Sequence, residues 1–286
     1  MQHFASYVYL IGYSFAIFVL ISLGLAVIFG MMRVINLAQG EFLMLGAYVC
    51  VEATRAGLPL WLAIIAAGLA VGAFGIVVER LIIRFLYGRI LDTLLATWGL
   101  SLFLVGGVTI VYGPQSVSVG ATLGNFRIGD VSYSSYSLIV IIAAVLLLVG
   151  TYALWRFTRF GLIVRGTMQN AGMANAMGIN TGMVYMLTFG FGSALTGLAG
   201  ALLVPIVGAS PQLGLSYIAK AFITVISGGP LPLLGTSAAS GLFGAIDGIV
   251  SYESSTVVSE VAVLLVAIVL LRMLPLGITG RLRRGL

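Results

Sequence analysis

The chain has 286 residues and a net charge of +6; 60% of its residues are hydrophobic and only 8% are charged. A soluble domain carries about 25% charged residues, so a mean hydropathy of +1.17 excludes a globule solvated by water on every side and makes lipid the solvent. A hydrocarbon core of about 30 Å takes roughly 20 apolar residues per crossing, so the length holds about eight to ten spans and leaves no room for a soluble catalytic domain.

The first apolar run covers 6–30. Its leading stretch, 1–22, lacks a basic start and a small-residue cleavage site, so it is read as a retained helix and not as a cleaved signal. Further runs follow at 41–54, 59–78, 91–112, 136–155, 182–207, 215–228, 233–251 and 257–274. The pattern predicts an all-α polytopic membrane protein with about eight or nine transmembrane segments, two of them short or broken. The short ones are the second and the seventh. They adjoin polar or glycine-rich breaks at Asn36–Gly40 and Gly228–Pro230. Breaks at membrane depth are tolerated where they line a cavity, because the freed backbone groups need polar partners.

Arginine placement predicts the orientation. Arg33, Arg80, Arg84, Arg89, Arg156, Arg159, Arg165, Arg272, Arg281, Arg283 and Arg284 fall on one side, and Arg55 and Arg127 on the other. Eleven against two makes the first side cytoplasmic by the positive-inside rule. An odd number of spans then puts the C-terminus inside and the N-terminus outside. A pI of about 9.7 has the same origin and calls for anionic lipid, not nucleic acid.

Two loops stand out. The outer loop, about 113–135, is rich in Gly and Ser and reads either as a contact for an external partner or as a plain connector. The inner loop, about 156–181, carries three arginines and then a short helix of small residues, Gln169 to Met177, stopped by Gly178. A short helix in a cytoplasmic loop needs a surface to pack on: a soluble partner, the membrane or its own bundle.

No catalytic motif is present. Lys220 is the only lysine, so no Walker A sequence exists. His3 is the only histidine and Cys50 the only cysteine, which excludes His- or Cys-based metal sites and disulfides within the chain. Transport energy must come from a separate ATPase or from an ion gradient. Charges at membrane depth are expensive and therefore informative. Lys220 and Glu260 read equally as snorkelling side chains or as functional ones. Asp247, deep in its segment between Gly244 and Gly248, is harder to dismiss, and a pairing with Lys220 is an open hypothesis. Small residues at i, i+4 spacing recur: Ser237–Gly241–Ala245, Ser240–Gly244–Gly248, Gly68–Gly72 and Ser193–Gly197. They predict close helix packing, within the chain before between chains. The stretch MMRVINLAQGE, 31–41, threads Asn36, Gln39 and Glu41 between aliphatic residues, which favours a broken segment on a polar path over a hydrated turn.

The stretch GLAVIFGMMRVINLAQGEFLMLGAY, 24–48, resembles the N-terminal signature of the permeases of branched-chain amino-acid ABC importers. GLIVRGTMQNAGMANAMGIN, 161–180, resembles that family's coupling loop. AKAFITVISGGPLPLLGT, 219–236, and LPLGITG, 274–280, are similar to its later blocks. The resemblance implies one transmembrane permease domain over 1–286 in a bacterial inner membrane. It implies a second permease subunit, identical or related, two cytoplasmic ATP-binding subunits that hold ATP and Mg, and a periplasmic solute-binding protein. No cofactor is implied in this chain. By carry-over, Arg165, Gln169, Asn170, Met173, Ala174, Met177 and Gly178 make the ATPase contact. Asn36, Gln39, Glu41, Trp98, Lys220 and Asp247 are the candidates for the translocation path.

Asn170, Gly172 and Asn175 stand where the family commonly has acidic residues or alanine, and GPLPLL, 229–234, carries two prolines in place of a glycine-rich turn. LYGRILDTLLATWGLSLFL, 86–104, is more similar to the urea and amide branch, whereas Lys220 is more similar to the amino-acid branch. The expected solute is a branched-chain or other hydrophobic amino acid, with urea or a short amide as the alternative. An ion-coupled transporter using Asp247 and Glu260, and a simple channel, are the readings outside this family.

Overall fold

The structure is a computed structural model that describes residues 2–120, 124–128 and 131–280. Arg281, Arg283 and Arg284 of the orientation count, and residues 121–123 and 129–130 of the outer loop, lie outside the described residues.

Eleven α-helices are described: α1 Gln2–Met32, α2 Gln39–Arg55, α3 Leu60–Leu81, α4 Ile90–Tyr112, α5 Ser135–Phe157, α6 Arg159–Gln169, α7 Ala171–Ala176, α8 Thr181–Val207, α9 Leu213–Gly228, α10 Pro232–Glu253 and α11 Thr256–Met273. A 3-10 turn, Ile83–Leu86, joins α3 to α4. Among the described residues, seven helices are long and apolar enough to cross a membrane. They are α1, α3, α4, α5, α8, α10 and α11. The predominance of helix follows from lipid, which offers backbone groups no partners, so each segment must satisfy its own. The two expected short segments are α2, with 17 residues, and α9, with 16.

Helix ends follow local chemistry. The Asn180 side chain caps α8 by accepting from the Met183 N–H, and Ser255 does the same for α11 through Val258. Pro232 opens α10 where no intrahelical donor is needed. The outer loop holds an element that the apolar runs do not suggest. Strand β1, Asn125–Ile128, pairs antiparallel with β2, Val131–Ser134, with Asn125 opposite Ser134. The signal was short: alternating residues around Gly129–Asp130, a dipeptide typical of two-residue hairpin turns.

The chain divides into two compact units, one made of 1–22, 121–149 and 220–286, the other of 23–120 and 150–219. In the second unit α2, α3 and α8 form the core. α3 and α8 run antiparallel, with Gly68 against Leu198, Gly72 against Ala194 and Gly75 against Ser193. Gly46 of α2 lies on the backbone of Gly197, and a Cβ there would collide with it. Phe42 sets its ring edge-on to Phe74 at 5.6 Å and to Phe189 at 6.1 Å. In the first unit α10 packs on the opening half of α1, with Gly244 at Phe15 and Gly248 at Ile11, while the rings of Phe18 and Phe243 lie 6.1 Å apart. The hairpin joins this unit through Tyr133, whose ring is 4.4 Å from that of Tyr9. Three of the four small-residue rows are thus spent within the chain. In the fourth, a Cβ on Gly241 would meet nothing among the described residues.

Candidate functional site

Between α1 and α2 the chain leaves the helix for six residues, 33–38. Arg33 takes a left-handed backbone, φ 53°, which turns the chain out of α1. The Asn36 carboxamide then does two jobs. Its oxygen accepts from the Ala38 N–H at 3.1 Å, and its nitrogen donates to Gln39 Oε1 at 3.0 Å. Gln39 Nε2 donates to Thr196 Oγ1 of α8, whose hydroxyl donates in turn to the Gly192 carbonyl at 3.0 Å. The Leu37 N–H donates to Thr97 Oγ1 of α4 at 3.1 Å. Asn36 and Gln39 are buried, so these bonds give the broken backbone the partners that lipid cannot.

Glu41 follows in the first turn of α2 and is 1% exposed, yet its Oε2 has no hydrogen-bond partner among the described residues. An isolated carboxylate oxygen in a dry site is costly, which leaves Glu41 as the group of this cluster with capacity to bind something more. Trp98, next to Thr97, is exposed and takes no part in the cluster. One residue into each short helix, Gly40 of α2 and Gly214 of α9 touch backbone to backbone.

The first unit carries a second polar group. Asp247 of α10 accepts from the Ser14 hydroxyl of α1 and from the Ser259 hydroxyl of α11, each at 2.7 Å, and Ser251 donates to Ser259 Oγ at 2.9 Å. The proposed pairing of Asp247 with Lys220 is not formed. Lys220 Nζ instead meets Glu260 Oε1 at 2.8 Å. Both Asp247 oxygens are occupied by serine hydroxyls, and α11 brings Glu260, one residue past Ser259, to the lysine. Lys220 and Asp247 therefore belong to two adjoining arrangements that α11 links through consecutive residues.

The inner loop folds as two helices, where sequence reading expected one. Thr158 caps α6 by accepting from the Gly161 N–H at 3.1 Å, and Arg165 Nε donates back to the Gly161 carbonyl at 3.2 Å. Gln169 ends α6 and does not begin the short helix. The reason is Asn170: its backbone is extended, φ −154° and ψ 98°, and its Oδ1 accepts from the Met173 N–H at 2.9 Å, so α7 starts at Ala171. Gly178, φ 84°, supplies the left-handed residue after α7. Asn175 Oδ1 accepts from the Thr181 hydroxyl at 3.1 Å and ties α7 to the start of α8. Ala174 is buried, while Met173 and Met177 are 61% and 75% exposed. Two of the three residues that depart from the family pattern thus make the local bonds that hold α7.

A further pair escaped sequence reading. Glu79, 2% exposed near the end of α3, accepts from the Tyr87 hydroxyl at 2.6 Å. Burial first, and the Glu79 carboxylate second, push the Tyr87 phenol well up. Tyr87 sits in an ordinary-looking turn, and Thr97, Thr196, Ser14 and Ser259 are hydroxyls in apolar helices. Such residues are too common in membrane segments to be singled out without a structure.

A family model described as branched-chain amino acid transport system / permease component matches residues 7–274. The chain belongs to this permease family. LivH of Salmonella typhimurium strain LT2, a high-affinity branched-chain amino acid transport system permease protein, is 28% identical over 92% of this chain and 91% of its own. BraD of Pseudomonas aeruginosa, described in the same terms, is 29% identical over 92% of both chains. A probable LivH of Methanocaldococcus jannaschii is 28% identical over 92% of this chain and 88% of its own. No solved structure gives a significant match. The permease match runs through both units, from the opening of α1 to the end of α11, and takes in the broken segment, the Asp247 group and α7 alike.

Proposed function

We propose that this permease is the translocation subunit of an ATP-driven importer and that its solute is a branched-chain or similar hydrophobic amino acid. The observation that carries the importer reading is α7. It is a capped helix, closed by Gly178, that presents two exposed thioethers on a loop that carries three arginines. Flexible, polarizable methionines suit an adaptable protein contact. A secondary transporter or a simple channel has no need of such a helix. The loop belongs to the arginine-rich side, which the positive-inside rule makes cytoplasmic. Two ATP-binding subunits there hold ATP and Mg. A second permease subunit completes the path, and an external binding protein delivers the solute to the opposite face of the inner membrane.

ATP binding draws the motor subunits together, α7 follows them, and the movement alternates access to the path. The path residues in this reading are Asn36, Gln39 and Glu41 around the helix break, with Trp98, Lys220 and Asp247. The names of the permease relatives support an amino-acid solute, and the 86–104 stretch keeps a urea or short-amide solute as the second reading. The deciding experiment expresses the chain with its ATP-binding subunits. Wild-type permease retains them on purification, whereas Gly178→Pro, or Asn170→Ala combined with Met173→Glu, releases them. Uptake that persists without ATP and collapses with the ion gradient overturns the reading.

A further inference from the structure

In the second unit, the seam where α3 crosses α8 is floored by small residues: Gly72 and Ala73 on one helix, Gly190 and Ala194 on the other. Larger side chains rise on either side, and the result is an open apolar groove of about 490 Å³. Volumes of roughly 300–1,000 Å³ hold small ligands. The helices are antiparallel, so one end of the groove can be followed residue by residue. Gly72 lies level with Ala194, and Ile76 with Gly190. At that second end Phe160 of α6 closes the wall.

This end is also the basic one. Arg80 follows Ile76 by one helical turn on the same face of α3, and Arg159 immediately precedes Phe160. Both are exposed, and neither enters any of the ion pairs formed among the described residues. An apolar slot with one exposed arginine a helical turn beyond its lining and another one residue before it has the polarity of a phospholipid: acyl chain along the slot, anionic headgroup at the arginines. Water-soluble anions have no use for the slot, and an uncharged apolar helix has no use for the arginines.

We propose that the α3–α8 groove is a binding site for one anionic phospholipid, its acyl chain over Ala73 and Gly190 and its phosphate held by Arg80 and Arg159. The site differs from the general lipid shell in being selective for headgroup charge. It also places a lipid against Phe160, on the helix that leads into α7. It depends on the membrane assignment alone and on no reading of the transported solute.

Trp155 provides the reporter, since its ring lies 5.9 Å from that of Phe160 and 5.1 Å from that of Phe191, which also lines the groove. Trp61→Phe and Trp98→Phe leave it as the sole tryptophan. The detergent-purified permease is titrated with phosphatidylglycerol brominated on its acyl chains and, separately, with phosphatidylcholine brominated in the same way. The phosphatidylglycerol quenches Trp155 at low mole fraction and the phosphatidylcholine does not. Arg80→Gln and Arg159→Gln each weaken that binding about fivefold, and Ala73→Phe, which fills the slot, removes it. The arginine variants alter exposed residues and serve as the reading even if Ala73→Phe fails to fold. Equal quenching by both lipids, or quenching unchanged in both arginine variants, overturns the proposal. So does loss of permease pairing in a folded Ala73→Phe protein, which would assign the groove to a helix of a second copy.

Discussion

Gly40 and Gly214 stand one residue inside the two short helices α2 and α9 and meet through their backbones. Neither position has room for a methyl group, because the nearest atoms on each side belong to the other's main chain. The contact brings together two helix starts that lie 174 residues apart (214 minus 40).

Gly40→Val and Gly214→Val should each lower the stability of the permease by about 1–3 kcal/mol, the usual cost of overpacking a tight contact. Gly106→Val on α4 is the control, since a Cβ there meets nothing. Thermal unfolding in detergent should separate the two groups. Equal midpoints for Gly40→Val and Gly106→Val would show that α2 and α9 do not press together in this way.

Asp247→Leu should abolish uptake while leaving membrane expression near normal, because it strips Ser14 and Ser259 of their shared acceptor. Asp247→Asn retains one acceptor oxygen and should keep part of the activity. Uptake at the wild-type rate in Asp247→Leu, at matched expression, returns the aspartate to packing alone.

Tyr87→Phe leaves Glu79 buried without its hydroxyl donor and should destabilise the protein by about 1–3 kcal/mol. The pH dependence has a definite sign. The phenol is raised in the folded state, so its contribution is complete below the ordinary tyrosine value of about 10 and is lost as pH climbs from there towards the folded value. Wild-type stability should therefore fall on the alkaline side of pH ~10, and the Tyr87→Phe protein should lack that component. Parallel pH curves for the two proteins would refute the assignment.

Most of the helix boundaries were legible in the sequence, within about two or three residues, because lipid imposes one secondary structure on every apolar run. The run 91–112 became α4 at Ile90–Tyr112, and 182–207 became α8 at Thr181–Val207. The helix break was legible for a different reason: Asn36 and Gln39 have no business among aliphatic residues unless backbone groups need them. What they bond to was not legible, since Thr97 and Thr196 lie far off in sequence and look like any membrane threonine. Lys220 and Asp247 illustrate the same limit. Their depths could be estimated, but the choice of Glu260 as the lysine's partner depends on the register of α11, which apolar periodicity does not encode. The start of α7 was misjudged by two residues because Asn170 looks like a helical residue until its side chain is seen capping the turn.

The exposed face of α7 carries two thioethers, small residues and the Asn175 carboxamide, with no charged group between Ala171 and Gly178. A contact of that kind is fitted by shape and adapts to it, and it carries no electrostatic lock that a mismatched partner would violate. A protein that docks on α7 is accordingly chosen by fit and not by charge, so one such face can serve more than one partner of similar shape.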